Sequence, residues 1–119
     1  MFQITVEDSF AAAHRLREYE GKCRQLHGHN YRVRVSLEGE QLDETGLLVD
    51  FTEVKRLLRE IIEPFDHRLL NDVPPFDTLN PTAENMAKYF YEELSERLPV
   101  RIAEVRIWET EGAAAAYRA

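Results

Sequence analysis

The chain has 119 residues, 44% of them hydrophobic and 31% charged, and a net charge of -7. That is the balance of one folded domain, residues 1 to 119, with a real core, and it argues against a disordered segment and against general nucleic-acid binding. No apolar run approaches the roughly 18 residues of a membrane span, the first residues lack a signal peptide's basic region, and the single cysteine can form no internal disulfide, so a cytoplasmic location away from membranes is expected.

Residues 2 to 14 read as a strand, with Phe2, Ile4, Val6, Phe10, Ala12 and His14 on one face and Gln3, Thr5, Glu7 and Ser9 on the other. Asp8 interrupts the apolar row, which predicts a bulge. Residues 29 to 38 alternate more cleanly, with Tyr31, Val33, Val35 and Leu37 inward, and the same parity turns His29 to the apolar face. After a turn-rich stretch, Asp50 is a helix N-cap with Glu53 three residues on, and the helix it starts runs to about Glu63. Its buried stripe is Phe51, Val54, Leu57, Leu58, Ile61 and Ile62, and Pro64 stops it.

A loop with Asp66, His67, Pro74 and Pro75 leads to a second helix starting near Asn80-Pro81-Thr82, which buries Ala83, Met86, Ala87, Phe90, Tyr91, Leu94 and Leu98. Beyond Pro99, Ala103, Val105 and Ile107 alternate with polar neighbours, and a turn at Glu111-Gly112 joins this strand to a closing one. The order is β-β-α-α-β-β, an α+β sheet with both helices on one face.

Three of the four histidines, His14, His27 and His29, lie within sixteen residues of one another. Residues i and i+2 of a strand share a face, so His27 and His29 can hold one cation while His14 completes a three-nitrogen site with one position open, the ligand set of a catalytic zinc. An uncoordinated cluster of inward imidazoles is costly to desolvate. Cys23, four residues before His27, is open to three readings: a fourth ligand, an inert buried thiol, or a nucleophile or base whose pKa is lowered by Lys22, Arg24 and the imidazoles.

Asp66-His67 is either a turn cap beside an exposed imidazole or a proton-transfer unit in which the Asp orients the His. Glu109 is either a sheet-edge charge or a carboxylate that grips two parallel N–H donors, such as an amino-pyrimidinone presents. Residues 14 to 34 carry six Arg or Lys against two Glu, a local +4 that leaves -11 elsewhere. This excess reads as solvated loop charge or as a site for an anionic substrate such as a phosphate ester.

Taken in order, Phe10-Ala11-Ala12-Ala13-His14, Cys23 to His29, Leu48-Val49-Asp50-Phe51, Asp66-His67, Pro81-Thr82-Ala83-Glu84-Asn85 and Trp108-Glu109-Thr110 resemble the 6-pyruvoyltetrahydropterin and 6-carboxytetrahydropterin synthases of the tunnelling fold. The resemblance implies a four-stranded antiparallel sheet carrying two helices, with sheets of several copies closing into a barrel. It implies a homo-oligomer, a hexamer, with active sites at subunit interfaces. It also implies Zn2+ on His14, His27 and His29, Cys23 as base, Asp66 and His67 as a proton relay, and Glu109 on the pterin ring with Thr82 and Glu84 beside it. The Cys-x-x-x-His-Gly-His spacing looks like the bacterial 6-carboxytetrahydropterin synthases of queuosine biosynthesis, lyases acting on 7,8-dihydroneopterin triphosphate. The pyruvoyl-forming synthases are the alternative within the family, and a zinc- or pterin-binding protein without turnover is the alternative outside enzymes. The alanine-rich Ala113 to Ala116 departs from the bulkier residues expected in the closing strand.

Overall fold

The computed structural model describes residues 1–18, 20–21 and 25–119. Its strands and helices run β1 (Phe2–His14), β2 (His27–Gly39), α1 (Phe51–Ile62), β3 (Arg68–Leu69), α2 (Ala83–Ser95), β4 (Arg101–Thr110) and β5 (Ala113–Arg118), with a 3-10 turn at Leu70–Asp72. The predicted α+β order is present. The sheet has five strands rather than four, in the order β3-β1-β2-β4-β5, because two residues after α1 pair in parallel with β1, Arg68 beside Ala12 and Leu69 beside Ala13.

β1 and β2 pair antiparallel without interruption, from Phe2 opposite Gly39 to His14 opposite His27. The bulge expected at Asp8 is therefore absent. Asp8 stays in register, half-buried, and its carboxylate accepts the Ser9 N–H at 2.8 Å and lies 3.8 Å from the Arg59 guanidinium. The register shift falls instead between Ser36 and Leu37, where β2 pairs with β4.

Period-2 alternation puts Val6, Phe10, Tyr31, Val33, Val35, Leu37, Val105 and Ile107 into the core, and both helices cover that face. α1 contributes Val54, Leu57, Leu58, Ile61 and Ile62, whereas Phe51 is exposed. Phe51 is the first residue of its helix, one turn ahead of the stripe, so its ring lies beyond the covered sheet. Asp50 caps α1 as predicted by accepting the Thr52 N–H at 2.8 Å. α2 buries Met86, Ala87, Phe90 and Leu94, and Tyr91 packs its ring on Tyr117 of β5 at 4.9 Å between centroids. No helix among the described residues is long and apolar enough to cross a membrane.

The turn after α1 is fastened to β1. Asp66 accepts the Ala11 N–H at 3.1 Å through Oδ1 and an Arg59 N–H through Oδ2, while the His67 N–H donates to the Ala11 carbonyl at 2.6 Å. His67 sits at φ 60°, a left-handed conformation that costs an L-residue about 1–2 kcal/mol, and these hydrogen bonds offset it. Burial pushes the Asp66 carboxyl up, but the Ala11 and Arg59 hydrogen bonds and the neighbouring positive groups outweigh it, leaving the group below the ordinary carboxylate range.

A depressed folded-state pKa gives stability that is present above the unfolded value, about 3.9 for Asp, and is lost as pH falls through the folded one. Asp66→Asn is thus expected to be less stable than wild type at pH 7, with the gap closing as pH falls below about 4 in urea denaturation. A gap independent of pH would contradict the ionic role. In the same assay at pH 7, Leu58→Ala should cost about 2–5 kcal/mol and Asp50→Ala about 1 kcal/mol; the reverse order would contradict the packing described.

Candidate metal centre and active site

The unbroken β1–β2 register sets His14 against His27 at the end of the sheet, with His29 two residues further along the same face of β2. The His14 Nδ1–H donates to the Pro81 carbonyl at 2.8 Å, and the buried Tyr31 hydroxyl lies 3.0 Å from the same nitrogen. The His27 Nδ1–H donates to the Gln25 carbonyl at 2.7 Å. A carbonyl only accepts, so each contact fixes the ring hydrogen on Nδ1 and leaves Nε2 as a lone pair.

Those two Nε2 atoms face each other at 3.0 Å, an arrangement that calls for a cation between them. His29 Nε2 is buried without a hydrogen-bond partner, 3.9 Å from a Glu109 oxygen, and the other Glu109 oxygen is 3.9 Å from His14 Nε2. At that separation Glu109 forms no hydrogen bond to either ring. The candidate ligand atoms of the three histidines all lie within 4.8 Å of one another.

Tetrahedral zinc with nitrogens at about 2.0–2.1 Å requires them about 3.3 Å apart, so small ring rotations bring this set onto one ion. Burial pushes His14 and His29 down, more than Glu109 pulls them up, which favours the neutral imidazole that ligates metals. The donor set, the fixed tautomers and the orphaned His29 nitrogen fit a divalent cation. Burial, reinforced by Glu109, pushes the Tyr31 phenol upward, so it remains a hydroxyl beside His14.

Two cavities reach this cluster at His29, and a third lies beside Glu109. One of about 540 Å³ is lined by His29, His67, Arg68 and the small residues Ala11, Ala13 and Gly28. A second of about 470 Å³ shares Gly28, His29 and Asn30 with it and adds Arg32, Trp108 and Glu109. The third, about 430 Å³, is lined by Glu109, Thr82, Glu84, Asn80 and Arg17 among others.

The structure thus brings Thr82, Glu84 and Glu109 together on one side of the cluster and places His67 on the other. His67 Nδ1 lies 2.9 Å from Asp66 Oδ1, and its ring is 81% exposed. Because Asp66 is held by Ala11 and Arg59, it orients the imidazole that the sequence singled out for proton transfer. The Thr82 hydroxyl accepts the Asn85 N–H at 3.1 Å as the N-cap of α2, and Glu84 is exposed in the first turn. Cys23 lies outside the described residues, so its assignment as base is untouched by this geometry.

Sequence reasoning missed the groups that orient the cluster. Tyr31 reads there only as core, although it follows His29 by two residues and shares its face, a spacing that could have marked it. The Pro81 and Gln25 carbonyls carry no side-chain signal at all.

The family model for 6-pyruvoyl tetrahydropterin synthase matches residues 3–119. The chain is 38% identical to the 6-carboxy-5,6,7,8-tetrahydropterin synthase of Synechocystis over 98% of its length and 93% of that protein. It is 37% identical to the 6-pyruvoyl tetrahydrobiopterin synthase of Poecilia reticulata, over 97% of its length and 88% of the relative. The solved 6-pyruvoyl tetrahydropterin synthase of Caenorhabditis elegans superposes with a TM-score of 0.85 at 35% identity, covering 100% of this chain and 97% of the other. With the family model spanning residues 3–119 and relatives above 30% identity along nearly the whole chain, the chain belongs to the 6-pyruvoyl tetrahydropterin synthase family.

Proposed function

We propose that the protein is a zinc-dependent lyase that converts 7,8-dihydroneopterin triphosphate and water into 6-carboxytetrahydropterin, acetaldehyde and triphosphate, as a cytoplasmic enzyme of 7-deazapurine (queuosine) biosynthesis. The observation that carries a metal-assisted reaction is the convergence of His14, His27 and His29 on one point, with the His29 nitrogen buried and unpartnered. The Cys-x-x-x-His-Gly-His spacing and the Synechocystis relative support the carboxy-forming branch.

In this reading His14, His27 and His29 hold the ion, which supplies Lewis acidity toward the oxygens of the substrate side chain. Glu109, between the metal cluster and the cavity lined by Thr82 and Glu84, accepts the paired N–H donors of the pterin edge and so fixes the ring. Cys23 removes a proton from the side chain, and His67, held by Asp66 through Nδ1, delivers or accepts one at Nε2. The ring of His67 is open to solvent in the single chain. A homo-oligomer, a hexamer in the reading adopted here, places a neighbouring copy over the cavity and excludes water from that transfer.

A second reading, formation of a 6-pyruvoyl product on the same site, is favoured by the names of the Poecilia and Caenorhabditis relatives. Product analysis separates the two. Incubation of the zinc-loaded protein with 7,8-dihydroneopterin triphosphate should release acetaldehyde in step with triphosphate. Triphosphate release with a pyruvoyl product and no acetaldehyde would assign it to the other branch.

Cys23→Ala should reduce turnover by about 100-fold or more while leaving bound zinc at the wild-type level, the magnitude expected for loss of a general base. Loss of zinc in that variant would make Cys23 a ligand, and unchanged turnover would remove it from the reaction.

A further inference from the structure

The outer edge of β1 is covered by the segment that follows α1. Ala11 exchanges hydrogen bonds with Asp66 and His67, and Ala12 and Ala13 pair with β3. Beyond Ala13 that partner strand ends, and two asparagine side chains take its place. The Asn71 amide accepts the Arg15 N–H at 3.0 Å and donates to the Arg15 carbonyl at 3.0 Å. The Asn80 amide treats Arg17 in the same way, accepting its N–H at 2.9 Å and donating to its carbonyl at 3.1 Å. A primary amide carries one donor side and one acceptor side, so each asparagine satisfies both backbone groups of one residue, as a neighbouring strand would.

The Arg17 side chain closes the same joint from the opposite direction. Its guanidinium donates to the carbonyls of Asn71, Phe76, Asp77 and Leu79, at distances from 2.8 to 3.4 Å. One member of the basic segment 14 to 34 is therefore committed to holding the loop between β3 and α2.

These contacts bracket the hydrogen bond that orients a candidate metal ligand. His14 immediately precedes Arg15, and Pro81 immediately follows Asn80. Pro81 has no N–H of its own to anchor it, so the aim of its carbonyl at His14 Nδ1 is set by its neighbours. On one side is Thr82, the N-cap of α2; on the other is Asn80, whose carbonyl accepts the Thr82 N–H at 2.8 Å and an Asn85 side-chain N–H at 2.9 Å. Moving the Pro81 carbonyl off His14 strains the Asn80 clamp on Arg17, and moving His14 strains the Asn71 clamp on Arg15.

We propose that Asn71 and Asn80 are positioning residues of the metal centre: they lock segment 70–82 onto the chain leaving β1, keep the Pro81 carbonyl on His14 Nδ1, and so aim His14 Nε2 at the other two histidines. Groups that fix the orientation of a ligating imidazole commonly control metal affinity by 10- to 100-fold. The inference rests on the proposed metal site for what His14 binds, whereas the hydrogen bond it concerns is present without an ion.

Two measurements test it: zinc affinity by competition with a chelator, and detection of the His14 Nδ1–H by NMR of the metal-free, 15N-histidine-labelled protein. The proteins are wild type, Asn80→Ala, Asn71→Ala, Asn80→Asp and the control Asp50→Ala. Asp50 caps α1 two residues after Leu48, which lies against Gly39 at the end of the β1–β2 ladder remote from His14. Asn80→Ala should weaken zinc binding by about 10- to 100-fold and lose the Nδ1–H signal to exchange with water. Asn71→Ala should move both readouts in the same direction. Asn80→Asp keeps an acceptor for the Arg17 N–H but has no donor for its carbonyl, so it should fall between wild type and Asn80→Ala.

The control should keep wild-type zinc affinity and the Nδ1–H signal despite its lower stability in urea. Circular dichroism establishes that each variant is folded, and should Asn80→Ala fail to fold, Asn80→Asp and Asn71→Ala decide the matter. Wild-type affinity with an intact signal in the asparagine variants overturns the proposal, as does an equal loss of affinity in Asp50→Ala, which would reduce the asparagines to general stability. If the wild type binds no zinc but the Nδ1–H signal still depends on Asn80, the metal site proposed above falls and the positioning of His14 stands.

Discussion

Thirteen residue pairs join β1 to β2 without a register shift, and the site depends on that alignment. It sets His14 opposite His27 and Ala12 opposite His29, so three imidazoles reach one point from two strands. A slip by one residue would turn every side chain of a strand to the other face and scatter the nitrogens. The same alignment stacks Phe10 on Tyr31 at 5.0 Å, which fixes the phenol beside His14. The hydrophobic core therefore holds the register, and the register holds the donor set.

Orientation comes from backbone groups rather than from other side chains. The Pro81 carbonyl, just ahead of α2, takes the His14 Nδ1 proton, and the Gln25 carbonyl takes that of His27. With the hydrogens committed there, the Nε2 lone pairs of His14 and His27 face each other, and burial favours the neutral form of His14 and His29. Asp66 does the corresponding work on the other side, where its fastening to Ala11 and Arg59 lets it present His67 at the wall of the cavity that His29 also lines. The histidine cluster and the Asp66-His67 pair are thus both tied to β1, at His14 and at Ala11.

Much of this was legible because period-2 alternation is a strong signal. It turned His14 and His29 inward correctly, and adjacency alone made Asp66-His67 a pair. Features governed by tertiary contact were not legible. Asp8 looked like a bulge because a carboxylate interrupts an apolar row, yet Arg59 from α1 lies close enough to let it stay in register. Phe51 fitted the helical stripe but lies beyond the sheet that would cover it. β3 is two residues long, too short for any periodicity, and exists because Asp66 and His67 bind Ala11. Thr82 was read as a pocket residue, and it does line the third cavity, but its hydroxyl also caps α2.

The central claim is that three imidazole nitrogens, from His14, His27 and His29, hold one metal ion with a position left for substrate. X-ray absorption at the zinc edge of the loaded protein tests it most directly. The account predicts a shell of nitrogen or oxygen at about 2.0–2.1 Å with scattering from three imidazoles and no sulfur. A sulfur at about 2.3 Å, or fewer than three imidazoles, would contradict it and make Cys23 part of the metal site instead of the base beside it.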